Sequence, residues 1–340
     1  MYRGAALAFL VLTLSLHSQT KAPITQSATP AQPLVYEEPP AISTDQPFKE
    51  EWSTISLAKS GLPTGPVAGA LLSKVDLPGG CTRELLRLQW RPADPIDLYV
   101  IRPAEAMSPP VALFLLNYTF DTDIYRSDDW CNQARKNEVA IIGFGSALST
   151  QRFHAPRPMK EWFVSELQEA LATSTHDVQL VLNYLETRKD LDLNHVGIFG
   201  QGSGGAIAVL AAAADTRIIA LDLTNPWGDW PDWLKGSQQI PEDERASYLK
   251  PEFLQKVDSL DPVTYLPELK GKSLRIQQVK NDPVTPLAAK DKIASAAPGM
   301  DKVVRYADNA AEHEAWGSNG IAGWLGKQLH PEAAVANKVQ

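Results

Sequence analysis

The sequence predicts an α/β fold with a mostly parallel central sheet and helices on both faces. Continuous apolar runs such as VALFLLNY (111–118) and VAIIGFGS (139–146) are typical of strands that are buried on both sides. Helical patterns alternate with these runs along the chain, which is the order of elements that builds a parallel sheet. The chain has 340 residues, 44% of them hydrophobic, and this is enough for one large domain with a substantial core.

The predicted strands begin with a pair that precedes the parallel part. ELLRLQW (84–90) and IDLYVIRP (96–103) are separated only by RPADP, so they predict an antiparallel hairpin at the front of the sheet. The further predicted strands cover residues 111–118, 139–146, 195–200, 217–225, 273–282 and 302–308.

The predicted helices fill the segments between these strands. The segment THDVQLVLNYLETRKD (175–190) is one example, because its apolar residues at 178, 181, 182 and 185 share one helical face. The other predicted helices cover residues 127–138, 206–214, 287–297 and 318–329. In such sheets the functional crevice lies at the carboxyl ends of the strands. We therefore expect functional residues just after Tyr118, Gly200, Asn225, Asp282 and Asp308.

The two termini differ in composition from the predicted domain at 51–330. Arg3 followed by the apolar run GAALAFLVLTLSL (4–16) predicts a secretory signal peptide at 1–18, because the run is too short to span a bilayer. Residues 19–50 are rich in Pro, Thr, Ser and Gln and predict a linker, and 331–340 predict a C-terminal tail. We therefore expect export to a periplasm or out of the cell, with no membrane contact in the mature form.

Export affects the interpretation of Cys81 and Cys131, which are the two cysteines of the chain. In an oxidising compartment they can form a disulfide. Their positions in the sequence do not show whether their Cα atoms come close enough, so a disulfide and two free thiols both remain open.

The charge pattern argues against several classes of function. The net charge is −8 and no Lys/Arg-rich run occurs, which argues against a nucleic-acid partner. The six histidines form no metal-ligand pair and no C-x-x-C motif is present. We therefore predict no metal and no cofactor, and we expect a small molecule as the partner.

The glycine-rich stretch VGIFGQGSGGAIA (196–208) supports two interpretations. Gly200, Gly202 and Gly205 fit the dinucleotide pattern G-x-G-x-x-G, and Asp222 near the end of the next strand could bind a ribose. However, a nucleotide fold usually places this turn after its first strand, whereas four predicted strands precede it here. The alternative is a strand–turn–helix elbow of the G-x-S-x-G type.

The chain resembles the α/β-hydrolase superfamily, especially its secreted esterase and dienelactone-hydrolase-like members. The resemblance runs from about residue 84 to 329 and rests on FGQGSGGAIAV, LRIQQVKNDPVTP and AEHEAWG. It implies the α/β-hydrolase fold, a small cap insertion at 226–270, and the order nucleophile, acid, histidine. By this resemblance Asp282 is the acid and His313 the base, with Asp308 as a rival acid.

The sequence departs from the family at the nucleophile, where Gly202 stands in place of serine. Gly200 and Gly204 suit the small positions that flank an elbow apex, so we expect Gly202 at the apex. Ser203 would then supply a backbone N–H to the oxyanion hole, with Tyr118 or Thr119 as the second donor. If Ser203 were the apex instead, the bulky Gln201 would occupy the tight position two residues before it.

Three outcomes follow from this departure. Serine-dependent hydrolysis is lost, or Ser203 serves as the nucleophile in a shifted register, or His313 activates a water over the vacant apex. We predict an exported esterase-type protein with a degenerate elbow, weakly active or inactive toward a small carboxylic ester. The alternatives are a non-catalytic small-ligand-binding protein on the same fold and an NAD-dependent oxidoreductase.

The residues around the predicted triad also have plainer interpretations. Asp282 precedes a proline and could simply cap a turn. Glu312 and Glu314 flank His313 and predict a solvent-exposed segment. In the cap insertion we expect mainly packing, with one or two side chains touching a ligand, from Trp227, Trp230 and Trp233.

Overall fold

The computed structural model describes residues 49–92, 94–149, 152 and 166–330. The predicted signal peptide (1–18), nearly all of the predicted linker (19–50) and the predicted C-terminal tail (331–340) lie outside the described residues. No helix within the described ranges is long and apolar enough to cross a membrane.

The described residues contain one nine-stranded sheet with the order β1-β2-β3-β5-β4-β6-β7-β8-β9. The first three strands are antiparallel to their neighbours, and β3 also meets β5 antiparallel. All pairs from β5 across to β9 are parallel. The strands are Ala70–Leu77 (β1), Cys81–Leu88 (β2), Ile96–Pro103 (β3), Pro110–Leu115 (β4), Ala140–Gly143 (β5), Asp192–Gln201 (β6), Ile218–Thr224 (β7), Ser273–Val279 (β8) and Val303–Tyr306 (β9).

Helices cover both faces of this sheet, as the sequence predicts. In chain order the helices of the described residues are Asp129–Lys136 (α1), Leu167–Leu185 (α2), Ser203–Ala214 (α3), Trp230–Gly236 (α4), Glu242–Tyr248 (α5), Pro251–Asp258 (α6), Pro262–Tyr265 (α7), Leu287–Ala296 (α8), Asn309–Trp316 (α9) and Gly323–Leu329 (α10).

Two apolar cores lie on opposite faces of the sheet. Helices α2, α3 and α8 and the 226–270 insertion contribute to the larger core, and α1 and α10 contribute to the smaller one. Successive residues of a strand point to opposite faces, so Ile198 of β6 enters the first core and Phe199 the second. This double burial explains why the central strands appear in the sequence as continuous apolar runs.

Cys81 and Cys131 form a disulfide, with their Cα atoms 5.8 Å apart. The bond joins the start of β2 to α1 and therefore ties the antiparallel front of the sheet to the helix on its face. The structure thus favours the first of the two alternatives that the sequence left open.

A buried ionic network fixes the N-terminal end of the domain. Arg91 Nε lies 2.5 Å from Glu50 Oε2, and Arg91 also binds Asp177 on α2. A second guanidinium, that of Arg152, lies 2.6 Å from Asp177 Oδ2 and 2.5 Å from Asp94 Oδ2. Glu50 and Asp177 are almost fully buried, so each charge is compensated directly by a guanidinium.

Candidate functional site

The elbow lies between β6 and α3, and Gly202 is its apex. Gly202 has φ 57° and ψ −116°, a conformation that glycine adopts far more easily than other residues. Its N–H donates to the Thr224 carbonyl at 3.0 Å, and its carbonyl accepts from the Trp227 N–H at 3.1 Å. The geometry is therefore the one expected with Gly202 at the apex, and Ser203 lies one residue beyond the turn.

The neighbouring glycines allow the strand and helix to approach closely. A Cβ added at Gly200 would lie 2.7 Å from the Gly205 Cα, and one at Gly204 would overlap the Leu115 carbonyl oxygen. Real Cβ atoms do not come this close to their neighbours. The elbow thus retains the tight packing of a G-x-x-x-G-G turn although its apex has no side chain.

Asn117, at the end of β4, fills the space over the apex. A Cβ added at Gly202 would lie 2.7 Å from Asn117 Oδ1 and 3.3 Å from Trp227 Nε1. The same Asn117 oxygen accepts from the Ser203 N–H at 3.3 Å and from the Ser203 hydroxyl at 3.2 Å. An amide side chain therefore stands where the side chain of a nucleophile would begin.

The predicted oxyanion donors are already engaged inside the protein. The Ser203 N–H points to Asn117 Oδ1, and the Tyr118 N–H donates to Ser203 Oγ at 2.9 Å. Thr119, the other predicted donor, is exposed, and its hydroxyl is 3.5 Å from Asn117 Nδ2. Ser203 itself has no exposed surface. In this arrangement the two N–H groups of Ser203 and Tyr118 stabilise the elbow rather than a ligand oxygen.

Asp282 lies in the loop after β8, and its carboxylate caps a turn. Its oxygens accept from the Val284 N–H at 3.2 Å and from the Thr285 N–H at 3.0 Å. The buried Lys290 of α8 supports this loop, because its Nζ donates to the carbonyls of Val279 and Asp282 at 2.6 and 3.2 Å. The turn-capping interpretation of Asp282 therefore describes what the side chain does in this structure.

His313 is exposed on α9, and its ring packs against Trp316 with 4.6 Å between the ring centroids. Within the described part of the chain, neither a hydrogen bond nor an ion pair joins His313 to Asp282 or to Ser203. The structure therefore places the three predicted triad residues on the predicted strand-end segments without connecting them.

Glu312, not His313, is the α9 side chain that turns inward. Its residue is only 3% exposed, so the expectation that this glutamate faces solvent is wrong, whereas Glu314 is exposed. Burial raises the pKa of Glu312 to about 7; the nearby Asp222 and Asp282 carboxylates add to the rise, while the Thr224 hydroxyl and Arg275 oppose it. Glu312 and His313 are neighbours on α9, but the carboxyl group points inward and the imidazole points outward.

The two other acids that the sequence singled out have structural partners. Asp222 is fully buried and accepts from Arg275 Nε at 2.8 Å and from Gln277 Nε2 at 2.9 Å. A carboxylate enclosed in this way cannot reach a ribose, which removes the main support for the dinucleotide interpretation. Asp308 is exposed and caps α9 by accepting from the Ala311 N–H at 2.9 Å.

The tryptophans of the insertion pack beside the elbow. Trp227, Trp230 and Trp233 are each at most 1% exposed. The Trp227 ring lies 4.6 Å from Trp233 and 5.7 Å from Tyr118, measured between centroids. Tyr118 also reaches the insertion through its hydroxyl, which donates to Gln239 Oε1 at 2.6 Å. These contacts support the packing role that the sequence predicts for the three tryptophans.

Comparison with known proteins identifies the fold. No family model matches the sequence, and no curated protein matches it. Acetyl xylan esterase 1 from Thermoanaerobacterium sp. JW/SL YS485 has a similar structure, with a TM-score of 0.55 and 13% identity over 71% of this chain and 82% of that chain. The acetyl xylan esterase from Paenibacillus sp. R4 has a TM-score of 0.52 and 14% identity over the same shares of the two chains.

The Pyrococcus horikoshii acylaminoacyl peptidase is also similar, with a TM-score of 0.53 and 15% identity over 75% of this chain and 41% of that chain. At such identities the likeness shows the fold. This chain has the α/β-hydrolase fold, which confirms the fold class that its sequence predicts.

Proposed function

We propose that the protein is an exported, esterase-type α/β-hydrolase-fold protein with a degenerate nucleophile elbow. It is weakly active or inactive as a carboxylic-ester hydrolase and binds a small ester or ester-like molecule at the strand ends. The observation that carries this proposal is the apex of the elbow, where Gly202 has no side chain and Asn117 Oδ1 lies 2.7 Å from the position of a Cβ.

The surrounding groups support the loss of serine chemistry. A serine hydroxyl becomes a useful nucleophile only when a neighbouring base takes its proton. The Ser203 hydroxyl is buried and bonded to Asn117, while His313 is exposed and not bonded to Asp282. Enzymes that lose a triad residue keep some activity from the oxyanion hole, but here the N–H groups of Ser203 and Tyr118 are already engaged.

The ligand class comes from the structural neighbours. Two of them are acetyl xylan esterases, whose names indicate an acetyl ester as substrate. An elbow without a nucleophile on the same fold favours binding of a related small molecule without cleavage. This is the non-catalytic alternative. We do not propose NAD-dependent chemistry, because Asp222 is enclosed by Arg275 and Gln277.

Activity-based labelling tests the proposal. Wild type, Ser203→Ala and His313→Ala are incubated with a fluorophosphonate probe and with short-chain aryl esters. We expect no labelling in any of the three, and turnover that is absent or is weak and equal in all three, because neither side chain serves as nucleophile or base. Labelling that disappears in Ser203→Ala would establish a shifted-register nucleophile and refute the proposal. Turnover that needs His313 but not Ser203 would establish water activation and refute it as well.

Export is supported by the predicted signal peptide and by the Cys81–Cys131 disulfide, because disulfides persist mainly in oxidising compartments. The test is the intact mass of the protein recovered from the medium or periplasm after expression in a bacterial host. We expect the loss of a segment close to residues 1–18. Recovery of the uncleaved chain from the cytoplasm with reduced cysteines would contradict this part of the proposal.

A further inference from the structure

Two buried polar atoms on one face of α9 have no hydrogen-bond partner in the described structure. They are Glu312 Oε1 and Trp316 Nε1. The two residues are four positions apart, so their side chains project from the same side of the helix on successive turns. Buried polar groups in native proteins are almost always bonded, and leaving one unpaired costs about 1–3 kcal/mol. Two such groups on successive turns of one helix face therefore point to an occupant.

Glu312, the first of the two residues, lies near the elbow. A hydrogen bond from the Thr224 hydroxyl lowers the pKa of Glu312, so the two side chains are close to each other. The Thr224 carbonyl in turn accepts from the N–H of the apex residue Gly202 at 3.0 Å. Asp222 and Asp282 also act on Glu312 electrostatically. The two unpaired atoms thus belong to the carboxyl-end region of the sheet, where this class of fold binds its ligands.

The chemistry of the two atoms selects the kind of occupant. An indole N–H only donates, whereas a carboxylate only accepts. An anionic group would satisfy Trp316 but would offer no donor to Glu312 Oε1 and would be repelled by the Glu312 carboxylate. An ammonium group would satisfy Glu312 and leave the Trp316 N–H without an acceptor. A neutral hydroxyl donates one hydrogen bond and accepts two, so it satisfies both atoms at once.

We propose that Glu312 and Trp316 form a subsite for a neutral hydroxyl group of a small ligand, of the alcohol or polyol class. The hydroxyl donates to Glu312 Oε1 and accepts from Trp316 Nε1. This inference rests on the proposed function in one respect, since it names the chemical class of the ligand bound at the strand ends. It requires no bond cleavage.

The protonation of Glu312 does not change this choice of ligand. Its pKa of about 7 means that the carboxyl group is partly protonated at neutral pH. When it is protonated, the hydroxyl accepts from both the acid and the indole N–H, which its two lone pairs permit. We therefore expect hydroxyl binding on both sides of pH 7, whereas a cationic ligand would be bound only on the alkaline side.

The indole N–H resonances of the protein test the subsite. Trp316→Phe identifies the Trp316 signal in a ¹⁵N-correlated spectrum, and propane-1,3-diol is the probe. Acetate, methylammonium and 1,3-dimethoxypropane serve as anionic, cationic and non-donating controls. We expect a saturable shift of the Trp316 signal with the diol alone, at millimolar concentrations, as befits a fragment with about two hydrogen bonds.

Variants at position 312 show whether the shift of the Trp316 signal depends on the Glu312 carboxyl group. Glu312→Gln keeps an acceptor oxygen and should retain binding. Glu312→Leu removes the acceptor and should weaken binding about tenfold, the size of one lost hydrogen bond. Glu314→Gln, on the exposed side of the same helix, is the matched control and should bind as wild type does.

Three results would overturn the inference. The first is the absence of a saturable shift with the diol, which would mean that only water occupies the site. The second is a shift of equal size in Glu312→Leu. The third is a shift with acetate or methylammonium in place of the diol. Failure of the proposed function is seen separately, because ester turnover is measured on the same preparations. Turnover that depends on Ser203 or on His313 would refute that proposal and leave a diol-specific shift standing.

Discussion

At position 202 both the backbone and a neighbouring side chain favour glycine. The φ angle of 57° disfavours any residue with a Cβ, and Asn117 Oδ1 would lie 2.7 Å from that Cβ. The first effect belongs to the residue alone, while the second depends on Asn117. A double-mutant cycle can therefore separate the two effects.

We expect Gly202→Ala to destabilise the protein by about 1–3 kcal/mol, from backbone strain and the clash together. In an Asn117→Ala background the cost should fall by about 0.5–1 kcal/mol or more, because the clashing amide is absent. Urea unfolding of the four proteins gives these values.

Gly271→Ala is the matched control for this cycle, since Gly271 has φ 99° and no atom within 4 Å of an added Cβ. Its cost should be the same in the wild-type background and in the Asn117→Ala background. An identical cost of Gly202→Ala in both backgrounds would show that Asn117 does not fill the apex.

The sequence predicts the apex of the elbow but not the side chains that surround it. The small residues at Gly200 and Gly204 were enough to predict Gly202 as the apex. The roles of Asn117 and Glu312 could not be found, because both depend on side-chain direction. Glu312 and His313 are adjacent, and a rotation of about 100° along the helix decides which of them faces inward. Only the docking of α9 fixes that rotation.

Among the elements, strands were predicted best where both faces are buried. β3, β4 and β6 stand out as apolar runs close to their observed bounds. β1 could not be predicted from the sequence, because it is an edge strand whose Leu71 and Val75 are 40% and 42% exposed and no apolar run marks it. α9 could not be predicted either, because its sequence NAAEHEAW has no apolar stripe.

The loop after β8 is held by one buried lysine of α8. Lys290 is 2% exposed and donates to the carbonyls of Val279, Lys280 and Asp282 at 2.6, 3.4 and 3.2 Å. Val279 ends β8, and its carbonyl also accepts from the Asp282 N–H at 3.3 Å, so the lysine adds side-chain hydrogen bonds to the backbone bond that closes the turn.

We expect Lys290→Met to lower the free energy of unfolding by about 1–3 kcal/mol, because the apolar stem is kept while carbonyl oxygens lose their donor. Amide hydrogen exchange in residues 279–285 should become faster. Lys292→Met, exposed on the same helix, is the matched control. Equal stability and exchange in the two variants would show that Lys290 does not anchor the loop.

For the whole molecule, the Cys81–Cys131 disulfide restrains the antiparallel front of the sheet. The cysteines are 50 positions apart in the sequence, so the bond removes much conformational freedom from the unfolded chain. We expect the double variant Cys81→Ala/Cys131→Ala to be less stable by about 2–5 kcal/mol, measured as a lower midpoint in thermal unfolding. Adding a reductant should lower the midpoint of wild type and not that of the variant. A midpoint of wild type that is insensitive to reductant would argue against the bond.

The buried ionic network connects the stability of the whole domain to pH. Although burial opposes ionisation, Arg152 and Arg91 hold the pKa of Asp177 below its ordinary value. Burial likewise opposes the ionisation of Glu50, whose pKa is lowered by its hydrogen bonds to Arg91 and His176. A carboxyl group with a lowered folded-state pKa stabilises the protein above its unfolded pKa and loses that contribution as the pH falls through the folded pKa.

The contribution of these two carboxylates to the stability of wild type should therefore be complete above about pH 5 and decline below about pH 4, where unfolded Asp and Glu begin to take up protons. Asp177→Asn should be less stable by about 3–5 kcal/mol at neutral pH, because two buried guanidinium groups lose their shared partner. Its further loss on acidification should be smaller than that of wild type, since the fully buried carboxylate of this network is gone. Urea unfolding between neutral and acid pH measures both effects, with the exposed Asp243→Asn as control. An acid decline in Asp177→Asn as steep as in wild type would mean that other carboxylates govern the acid stability of this fold.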